Sequence, residues 1–337
     1  MRNTISVNKK HTFMDLVEYC RSKKTVYIQT HNYPDPDAIA SAYGLQMLFK
    51  YFNVNAIICY VGKNDKINTR KIYDYFDVVV YDYIDIVSEI KEDDYIIYVD
   101  SQKDGGNVTD IRGIEIAAID HHPLINKANY YYKDIRITGS CSSLIAQYYQ
   151  DCHVPISAEI ASLLLYGIKM DTLQLSRGVT ELDIKMFYFL FSHSNFELLS
   201  RLEKNTLELK DLKAYASAIS SIELIDDVGF AAIDFSCPDA LIAVVSDFML
   251  SVKEINFAVI YSYREDGIKI SVRSEIESSN AGIIVRNALK GIGNGGGHAL
   301  MAGGLIPAET VNQFKDSIGD EIKKRFINEL KKQGRQL

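Results

Sequence analysis

Three side chains of the kind that bind metals lie within seven residues, between an apolar run and a helix-forming run. They are His31, Asp35 and Asp37. The preceding run Thr25–Thr30 predicts a buried strand, and Ala38–Phe49 has apolar residues at helical spacing. Open α/β sheets bind their ligands at the carboxyl ends of their strands. An imidazole and two carboxylates at such a place indicate a divalent metal site.

Both carboxylates also have a simpler interpretation as turn and cap residues. Pro34 and Pro36 predict an extended link before the helix, which places Asp37 at the helix N-cap. For Asp37 alone, capping is the better explanation. More groups of the same kind follow other apolar segments, and together they favour metal binding. These groups are Asp100 after the predicted strand Tyr95–Val99, Asp120, His121 and His122 after the predicted strand Ile114–Ile119, and Asp171 after the apolar segment Ile160–Ile168.

Carboxylates that follow apolar segments lose hydration, and a pair of divalent cations would compensate for that cost. Carboxylates combined with imidazoles suit Mn²⁺, with Mg²⁺ as the alternative, and the lack of a thiolate set argues against structural zinc. Two such ions, about 3.5–4 Å apart, clamp a phosphate, activate water and stabilise the leaving oxygen. The residues therefore predict hydrolysis of a phosphoester.

The composition narrows the class of protein. The chain has 337 residues, 47% hydrophobic and 24% charged, which is an ordinary globular profile and predicts two domains. Its net charge of −7 disfavours a broad surface for long duplex nucleic acid, so a local cluster of cations must hold a phosphate ester. Five scattered cysteines without a CxxC pair predict free thiols. With no run of about 18 apolar residues and no signal-peptide pattern, we expect no membrane association and a cytoplasmic location.

Strands alternate with helices in the first half of the chain, which predicts an α/β fold with a doubly wound, mostly parallel sheet over residues 1–190. A helical connection is expected over residues 191–219, and a smaller α/β domain over residues 220–337. The other predicted strands are Asn55–Val61, Tyr130–Ile135, Phe230–Phe235, Phe257–Arg264 and Ile268–Arg273, the last two joined by a hairpin at Asp266-Gly267. The other predicted helices are Thr12–Ser22, Ser140–Tyr149, Ser157–Lys169, Ala240–Leu250, Ala281–Leu289 and Asp316–Lys332.

A glycine-rich segment, Gly291–Gly304, follows the predicted helix Ala281–Leu289. Consecutive glycines let backbone N–H groups approach an anion closely, as in phosphate-binding nests. The commoner structure for such a cluster is a tight turn that enters an edge strand. We favour phosphate or nucleotide binding because several polar side chains lie close in sequence. They are Arg273, Ser274, Asn280 and His298, with Arg286 and Lys290 as weaker candidates that are equally explained as solvated residues.

The ordered motifs of this chain resemble those of the DHH phosphoesterases. The matching segments are His31-Asn-Tyr-Pro-Asp35-Pro-Asp37-Ala, Val99-Asp100-Ser101, Asp120-His121-His122 and Gly167-Ile-Lys-Met-Asp171-Thr172. The segments Gly295-Gly296-Gly297-His298 and Met301-Ala302-Gly303-Gly304 resemble the signature of the DHHA1 domain. Each motif alone is weak, but their order along nearly the whole chain is specific. Within the family, the chain is most similar to stand-alone oligoribonuclease (nanoRNase) and pAp-phosphatase-like members. Lys169-Met170 before Asp171 and the interruption at Asn294 depart from the usual pattern.

The resemblance implies which residue binds which metal ion, an assignment that the residue types alone do not make. Two metal sites would be formed by His31 with Asp35 and by Asp37 with His121 and Asp171, and Asp100 would bridge the two. His122 would face the scissile phosphate as a cation or proton donor, and Asp120 would orient a histidine. Substrate would be bound in the second domain by Arg273, Ser274, Asn280, Gly295, Gly296, Gly297 and His298.

The expected function is that of a two-metal (Mn²⁺) phosphoesterase that cleaves short oligonucleotides or nucleotide phosphates, such as nanoRNA or pAp, with metal-activated water. One alternative is a linear or cyclic dinucleotide phosphodiesterase. Another is a pyrophosphatase or exopolyphosphatase, against which the glycine signature argues. A nucleotide-binding regulator is the alternative outside the enzymes. The expected partner is a short single-stranded oligonucleotide or nucleotide phosphate. The preferred substrate, the cleavage polarity, the oligomeric state (a homodimer is one option) and the roles of Lys169 and Arg177 stay open.

Overall fold

The computed structural model describes residues 11–62, 67–125, 128–204, 207–276, 279–314 and 317–334. The chain divides into two compact units, Met1–Thr206 (unit 1) and Leu207–Leu337 (unit 2). Among the described helices, none has the length and apolar character needed to cross a bilayer. The five cysteines are free thiols, as their spacing predicts.

Unit 1 contains a six-stranded sheet whose pairings are all parallel. Its strands are β1 (Val26–Gln29), β2 (Ala56–Tyr60), β3 (Val80–Asp82), β4 (Tyr95–Val99), β5 (Ile114–Asp120) and β6 (Tyr132–Ile135). The order β3-β2-β1-β4-β5-β6 is that of a doubly wound sheet, so the predicted fold class is confirmed. All four residues of β1 are buried, because helices and loops cover both faces of such a sheet. The strand order reverses between β1 and β4, and ligands bind at such a switch point.

The helices of unit 1 are α1 (Phe13–Cys20), α2 (Pro36–Tyr51), α3 (Ile67–Tyr75), α4 (Tyr83–Ile86), α5 (Cys141–Asp151), α6 (Ala158–Asp171), α7 (Glu181–Phe191) and α8 (Phe196–Glu203). Three of them, α2, α5 and α6, pack closely together. A methyl group at Gly44 of α2 would lie 3.0 Å from the side chains of both Ile145 and Leu164. The glycine therefore sets how closely α2 approaches the other two helices.

The prediction that Asp37 caps α2 is wrong. Asp35 is the N-cap, and its side chain accepts the backbone N–H of Ala38 at 3.0 Å. The helix begins at Pro36, two residues before the predicted start. Proline is favoured at the first helical position, because its φ is already helical and no intrahelical partner exists for an N–H there. Asp37 lies in the first turn of α2 and is fully buried.

Unit 2 contains a mixed sheet with the order β11-β12-β10-β9-β8-β7, in which only β8 and β9 are parallel among the described strands. Its strands are β7 (Glu223–Ile225), β8 (Val228–Ile233), β9 (Phe257–Arg264), β10 (Gly267–Ser274), β11 (Asn294–Gly297) and β12 (Met301–Pro307). Its helices are α9 (Leu212–Ser221), α10 (Asp239–Leu250), α11 (Ala281–Ala288), α12 (Ala308–Phe314) and α13 (Ile318–Lys332), after a 3-10 turn at Leu209–Asp211.

The hairpin predicted at Asp266-Gly267 is confirmed by the antiparallel pairing of β9 with β10. Gly267 has a φ of +135°, which only glycine adopts readily, and a methyl group there would lie 1.9 Å from the carbonyl oxygen of Ile306. The predicted tail helix is present from Ile318, whereas its expected first residue, Asp316, lies outside the described residues.

Candidate metal centre

The carboxyl ends of β1, β4 and β5 bring the ligand-type side chains of unit 1 together. These strands are neighbours in the sheet. His31 lies two residues beyond β1, Asp100 directly follows β4, and His121 directly follows β5. Because parallel strands all end at the same edge of the sheet, groups that are far apart in sequence meet at the switch point between β1 and β4.

One group of ligand atoms consists of His31, Asp35 and Asp100. The Nε2 atom of His31 lies 3.5 Å from Oδ2 of Asp100 and 3.8 Å from Oδ2 of Asp35. One ligand atom from each of the three side chains lies within 4.8 Å of the other two. The three side chains are therefore arranged so that a single cation could contact all of them.

A second group of ligand atoms consists of Asp37, His121 and Asp171. The Nε2 atom of His121 lies 3.2 Å from Oδ2 of Asp171 and also 3.2 Å from Oδ1 of Asp100. Ligand atoms of Asp37, His121 and Asp171 again lie within 4.8 Å of one another. Asp100 therefore directs one carboxylate oxygen at each histidine, which is the geometry of a shared ligand.

Asp100 has an unusual backbone and an unusual environment. Its φ is +54°, in the left-handed region that side chains other than glycine, asparagine and aspartate seldom adopt. The residue is buried, and its Oδ1 has no hydrogen-bond partner among the described residues. An unsatisfied buried oxygen is rare in a folded protein and calls for an explanation such as a bound ion. A bound cation would satisfy this oxygen.

Backbone carbonyl groups orient the two histidine rings. The Nδ1 atom of His31 lies 2.8 Å from the carbonyl oxygen of Asn32, and that of His121 lies 3.0 Å from the carbonyl oxygen of Thr138. A carbonyl oxygen can only accept, so we assign the ring N–H to Nδ1 in both. The Nε2 atoms are then left as donors of electron pairs towards a metal, an arrangement typical of metal-binding histidines.

The start of α5 holds the carboxylate of Asp37. The backbone N–H of Cys141 donates to Oδ2 at 2.8 Å, and that of Ser142 donates to Oδ1 at 3.0 Å. These are first-turn N–H groups, which have no partner inside their own helix and favour negative charge. Gly167 of α6 permits this packing, since a methyl group there would lie 2.2 Å from Oγ of Ser142 and 3.0 Å from Oδ1 of Asp37.

The ionisable groups of the centre shift one another's pKa values strongly. Burial raises the pKa of Asp37 to about 8, with the charges of Asp100 and Asp171 next in importance. Burial likewise raises the pKa of Asp171 to about 6. For the histidines, burial lowers the pKa, but neighbouring carboxylates outweigh it and raise the pKa of His31 to about 9 and that of His121 to about 11. The cluster is therefore short of positive charge, and the residues fit divalent cations.

His122 and Asp120 form a pair beside these groups. The Nδ1 atom of His122 lies 2.9 Å from Oδ1 of Asp120, and the histidine side chain is 47% exposed. Burial opposes ionisation of Asp120, but its bonds to His122 and Gln102 outweigh burial and lower its pKa. A ligand atom of His122 also lies within 4.8 Å of those of Asp100 and His121. The geometry thus leaves His122 near enough to contact either a cation or a substrate.

Gln102 is a residue of this centre that sequence reasoning missed. It is buried, and its Nε2 donates to Oδ2 of Asp120 at 2.6 Å and to the carbonyl oxygen of Pro123 at 3.1 Å. Its Oε1 accepts the backbone N–H of Ile125 at 3.0 Å. Gln102 therefore fixes the segment that carries His122, and its position two residues after Asp100 was the only signal in the sequence.

The two residues whose roles the sequence left open lie on either side of Asp171. Lys169 forms an ion pair with Glu203 and so belongs to the packing of α6 against α8. Arg177 donates to the backbone oxygen of Asp171 at 2.8 Å, and its guanidinium lies 3.7 Å from Oδ1 of the same residue. Arg177 therefore balances charge next to the second ligand group.

The polar residues predicted to bind substrate in unit 2 already have partners there. The Nε atom of Arg273 donates to Oδ1 of Asp247 at 2.5 Å. The hydroxyl of Ser274 bonds within a local turn to both the N–H and the carbonyl group of Ile276. Asn280 caps α11 by accepting the N–H of Ile283. These bonds leave only part of each side chain free to meet a ligand.

The glycines Gly295–Gly297 lie in β11, an edge strand that pairs with β12, so they occupy the edge-strand structure that was the simpler alternative. Gly297 has a φ of +152°, and its carbonyl oxygen would lie 2.1 Å from a methyl group at Gly282 of α11. The first two N–H groups of α11, at Ala281 and Gly282, donate to the carbonyl oxygens of Ala299 and His298. These glycines therefore join β11 to α11, and the exposed His298 side chain stands beside them.

Comparison with protein families gives the class of the chain. Residues 25–168 match the DHH family, N-terminal domain, and residues 227–324 match the DHHA1 domain. The chain therefore contains a DHH domain followed by a DHHA1 domain, and the resemblance of its motifs is confirmed.

The individual relatives share about a third or less of the aligned residues with this chain. An uncharacterized protein of Methanocaldococcus jannaschii is 26% identical over 332 residues, which are 97% of this chain and 66% of that protein. A probable manganese-dependent inorganic pyrophosphatase of Streptococcus equi is 32% identical over 156 residues, 44% of this chain and 49% of that protein. The chain thus spans about half to two thirds of these relatives. An exopolyphosphatase-related protein from Bacteroides fragilis has the same fold, with a TM-score of 0.72, 18% identity and coverage of 93% and 96% of the two chains.

Proposed function

We propose that this chain is a two-metal, Mn²⁺-dependent phosphoesterase that hydrolyses short oligonucleotides or nucleotide phosphates. The observation that carries the proposal is the shared carboxylate of Asp100. Its two oxygens lie 3.5 Å from Nε2 of His31 and 3.2 Å from Nε2 of His121, so it joins two groups of metal-type ligands at the switch point of the sheet. Such paired sites are typical of enzymes that cleave phosphoesters.

The ligand set supports two neighbouring ions. His31 and Asp35 would hold one, Asp37, His121 and Asp171 would hold the other, and Asp100 would contact both. Mn²⁺ suits this mixture of imidazoles and carboxylates, with Mg²⁺ as the alternative. The manganese dependence named for the Streptococcus equi relative supports the same choice. Bound in this way, the ions would activate water and neutralise charge on the phosphoryl group.

The remaining residues of the centre would handle the substrate. His122 is half exposed, and its Nδ1 is held by Asp120, so the rest of its ring can contact a substrate phosphate or donate a proton to the leaving oxygen. Gln102 holds Asp120 from the other side, which keeps the carboxylate and the histidine in one orientation. In unit 2, His298 is exposed beside the glycines. Arg273 donates through Nε to Asp247 and through Nη1 to the hydroxyl of Ser271 and the carbonyl oxygen of Val272, so among the described bonds its Nη2 is the group left to meet a phosphate.

Hydrolysis of inorganic pyrophosphate is a second candidate function. It is favoured by the 32% identity to the Streptococcus equi pyrophosphatase, which covers 44% of this chain. The DHHA1 match over residues 227–324 is the feature that makes us rank nucleotide substrates first, because the glycine segment and His298 could bind a nucleotide phosphate.

Product analysis on a substrate panel tests the proposal. The panel contains pAp, pApA, a 5-mer RNA, a 24-mer RNA, cyclic di-AMP and pyrophosphate, each with Mn²⁺. We expect fastest turnover of pAp, pApA or the 5-mer. Fastest turnover of pyrophosphate would establish the second candidate instead. Nucleotide binding without turnover of any substrate would refute catalysis and indicate a regulator. An Asp100→Asn protein purified in parallel controls for contaminating phosphatases.

A further inference from the structure

Asp183 is a fully buried carboxylate that lies outside all the motifs of the sequence. It is the third residue of α7, and among the described residues its side chain accepts four hydrogen bonds. Two come from the backbone N–H and the hydroxyl of Thr180, at 2.7 and 2.6 Å. The others come from the N–H of Gly139 at 2.8 Å and the hydroxyl of Ser143 at 2.6 Å.

Only the bonds to Thr180 serve the helix itself. They form a capping box, in which the third residue of a helix returns to its N-cap. The bonds to Gly139 and Ser143 reach residues 44 and 40 positions earlier in the chain. A helix cap requires neither of them, so they call for a separate explanation.

Both of these distant bonds end on one segment, residues 138–143, which touches two of the predicted metal ligands. The carbonyl oxygen of Thr138 faces Nδ1 of His121 at 3.0 Å. The N–H groups of Cys141 and Ser142 hold the two carboxylate oxygens of Asp37. The position of this segment therefore decides both the direction of the His121 ring and the orientation of the Asp37 carboxylate.

Gly139 packs the same segment against the residue that follows Asp171, the ligand that completes the group of Asp37 and His121. A methyl group at this position would lie 2.6 Å from Cγ2 of Thr172 and 2.8 Å from Oδ2 of Asp183. Thr172 directly follows Asp171. The segment is thus packed between Asp183 and the end of α6, with no room for a side chain at Gly139.

We propose that Asp183 is a positioning residue for the metal group formed by Asp37, His121 and Asp171. It holds segment 138–143, and the segment in turn orients His121 and Asp37. Asp183 has no direct contact with either side chain among the described bonds, so it acts through the segment. Among the described bonds, none joins segment 138–143 to His31 or Asp35, so we expect the other group to depend less on Asp183. This proposal rests on the metal binding proposed above.

The test is Mn²⁺ titration of the full chain by isothermal calorimetry, with Asp183→Asn as the variant. An amide keeps the shape of the carboxylate but presents an NH₂ group where one oxygen accepted, so donors on segment 138–143 or Thr180 lose their acceptor. Loss of a partner that orients a metal ligand typically weakens metal binding about 10- to 100-fold. We expect a loss of that size for one of the two ions, with the other ion bound as in the wild type.

Asp15→Asn is the matched control. Asp15 is also the third residue of a helix in unit 1, and it forms the same capping box with Thr12. We expect this variant to bind both ions normally. Ser143→Ala is the milder second variant, because it removes one donor to Asp183 and leaves the α7 cap intact; it should weaken the same single ion to a smaller extent.

The outcomes separate this proposal from the proposed function. If the wild type binds no Mn²⁺, the proposed function fails. If the wild type binds two ions and folded Asp183→Asn or Ser143→Ala also binds both with unchanged affinity, the positioning role alone is refuted. Equal weakening of both ions in Asp183→Asn would likewise refute it, since this result indicates general loosening of unit 1.

Discussion

Replacement of Asp100 by asparagine tests the metal centre at the side chain that its two ligand groups share. Asparagine keeps the shape of the side chain and tolerates the left-handed backbone at this position, where φ is +54°. Alanine would remove the same charge but would also add backbone strain. Asp100→Asn therefore isolates the loss of the bridging charge, and Asp100→Ala serves as the more severe variant.

The expected loss of activity follows from the charge and the burial of Asp100. Its side chain is 3% exposed, so water screens the carboxylate little. One unit charge about 4 Å from another contributes about 4 kcal/mol at an effective dielectric constant of about 20. With asparagine at this position, the transition state would lose about this much stabilisation for each unit of cation charge that the carboxylate balances in the wild type. A loss of about 4 kcal/mol corresponds to a turnover at least about a thousandfold slower.

The assay compares kcat on the best substrate of the panel at saturating Mn²⁺, with circular dichroism to establish folding. Asp104→Asn is the matched control, because Asp104 is also an aspartate with a left-handed φ, +59°, but is exposed and outside both ligand groups. We expect the control to retain wild-type activity. Near-normal turnover by folded Asp100→Asn would refute the shared-ligand interpretation of this site.

Three further predictions concern metal and substrate. His121→Ala should lose bound Mn²⁺ whereas His122→Ala should keep its metal and lose rate; metal analysis of both proteins decides, and equal depletion would show that these roles are divided wrongly. Mn²⁺ at about one hundred times its Kd should stabilise the folded chain by about 2.7 kcal/mol and raise its Tm, and an unchanged Tm would contradict metal binding. Substrates of two to five nucleotides should be cut far faster than a 24-mer, because the chain has a net charge of −7 and long RNA needs many cations; processive cleavage of the 24-mer would contradict this.

Much of the fold could be predicted from local sequence. The strand Tyr95–Val99 has the predicted bounds, and Phe257–Arg264 does as well, because continuous apolar or β-branched runs between polar breaks have few alternatives. The hairpin at Asp266-Gly267 was predictable because its turn needs a positive φ. The types of ligand, and the positions of His31, Asp100 and His121 after strands, could also be predicted. Residue identity determines which atoms can bind a metal.

Helix starts were less predictable, because a cap is defined by a hydrogen bond and not by a residue type. Asp35 and Asp37 are both good cap residues two positions apart, and either assignment satisfies local rules. The choice depends on the first turn of α5, which supplies two N–H groups to Asp37 from 104 and 105 residues away. Only the folded chain brings that helix end to Asp37 and leaves Asp35 to cap α2.

The sequence by itself determined which residues offer ligand atoms of the metal-binding kind, and that His31, Asp100 and His121 follow strands of an α/β sheet. The tertiary structure alone decided how they are grouped, since the order β3-β2-β1-β4-β5-β6 places Asp100 between His31 and His121. It also decided that Arg273 forms a hydrogen bond with Asp247 and that Asp183 accepts hydrogen bonds from segment 138–143. The physical reason is that residue types and short-range periodicity are local properties, whereas burial, shared ligands and distant hydrogen bonds arise only when strands and helices pack.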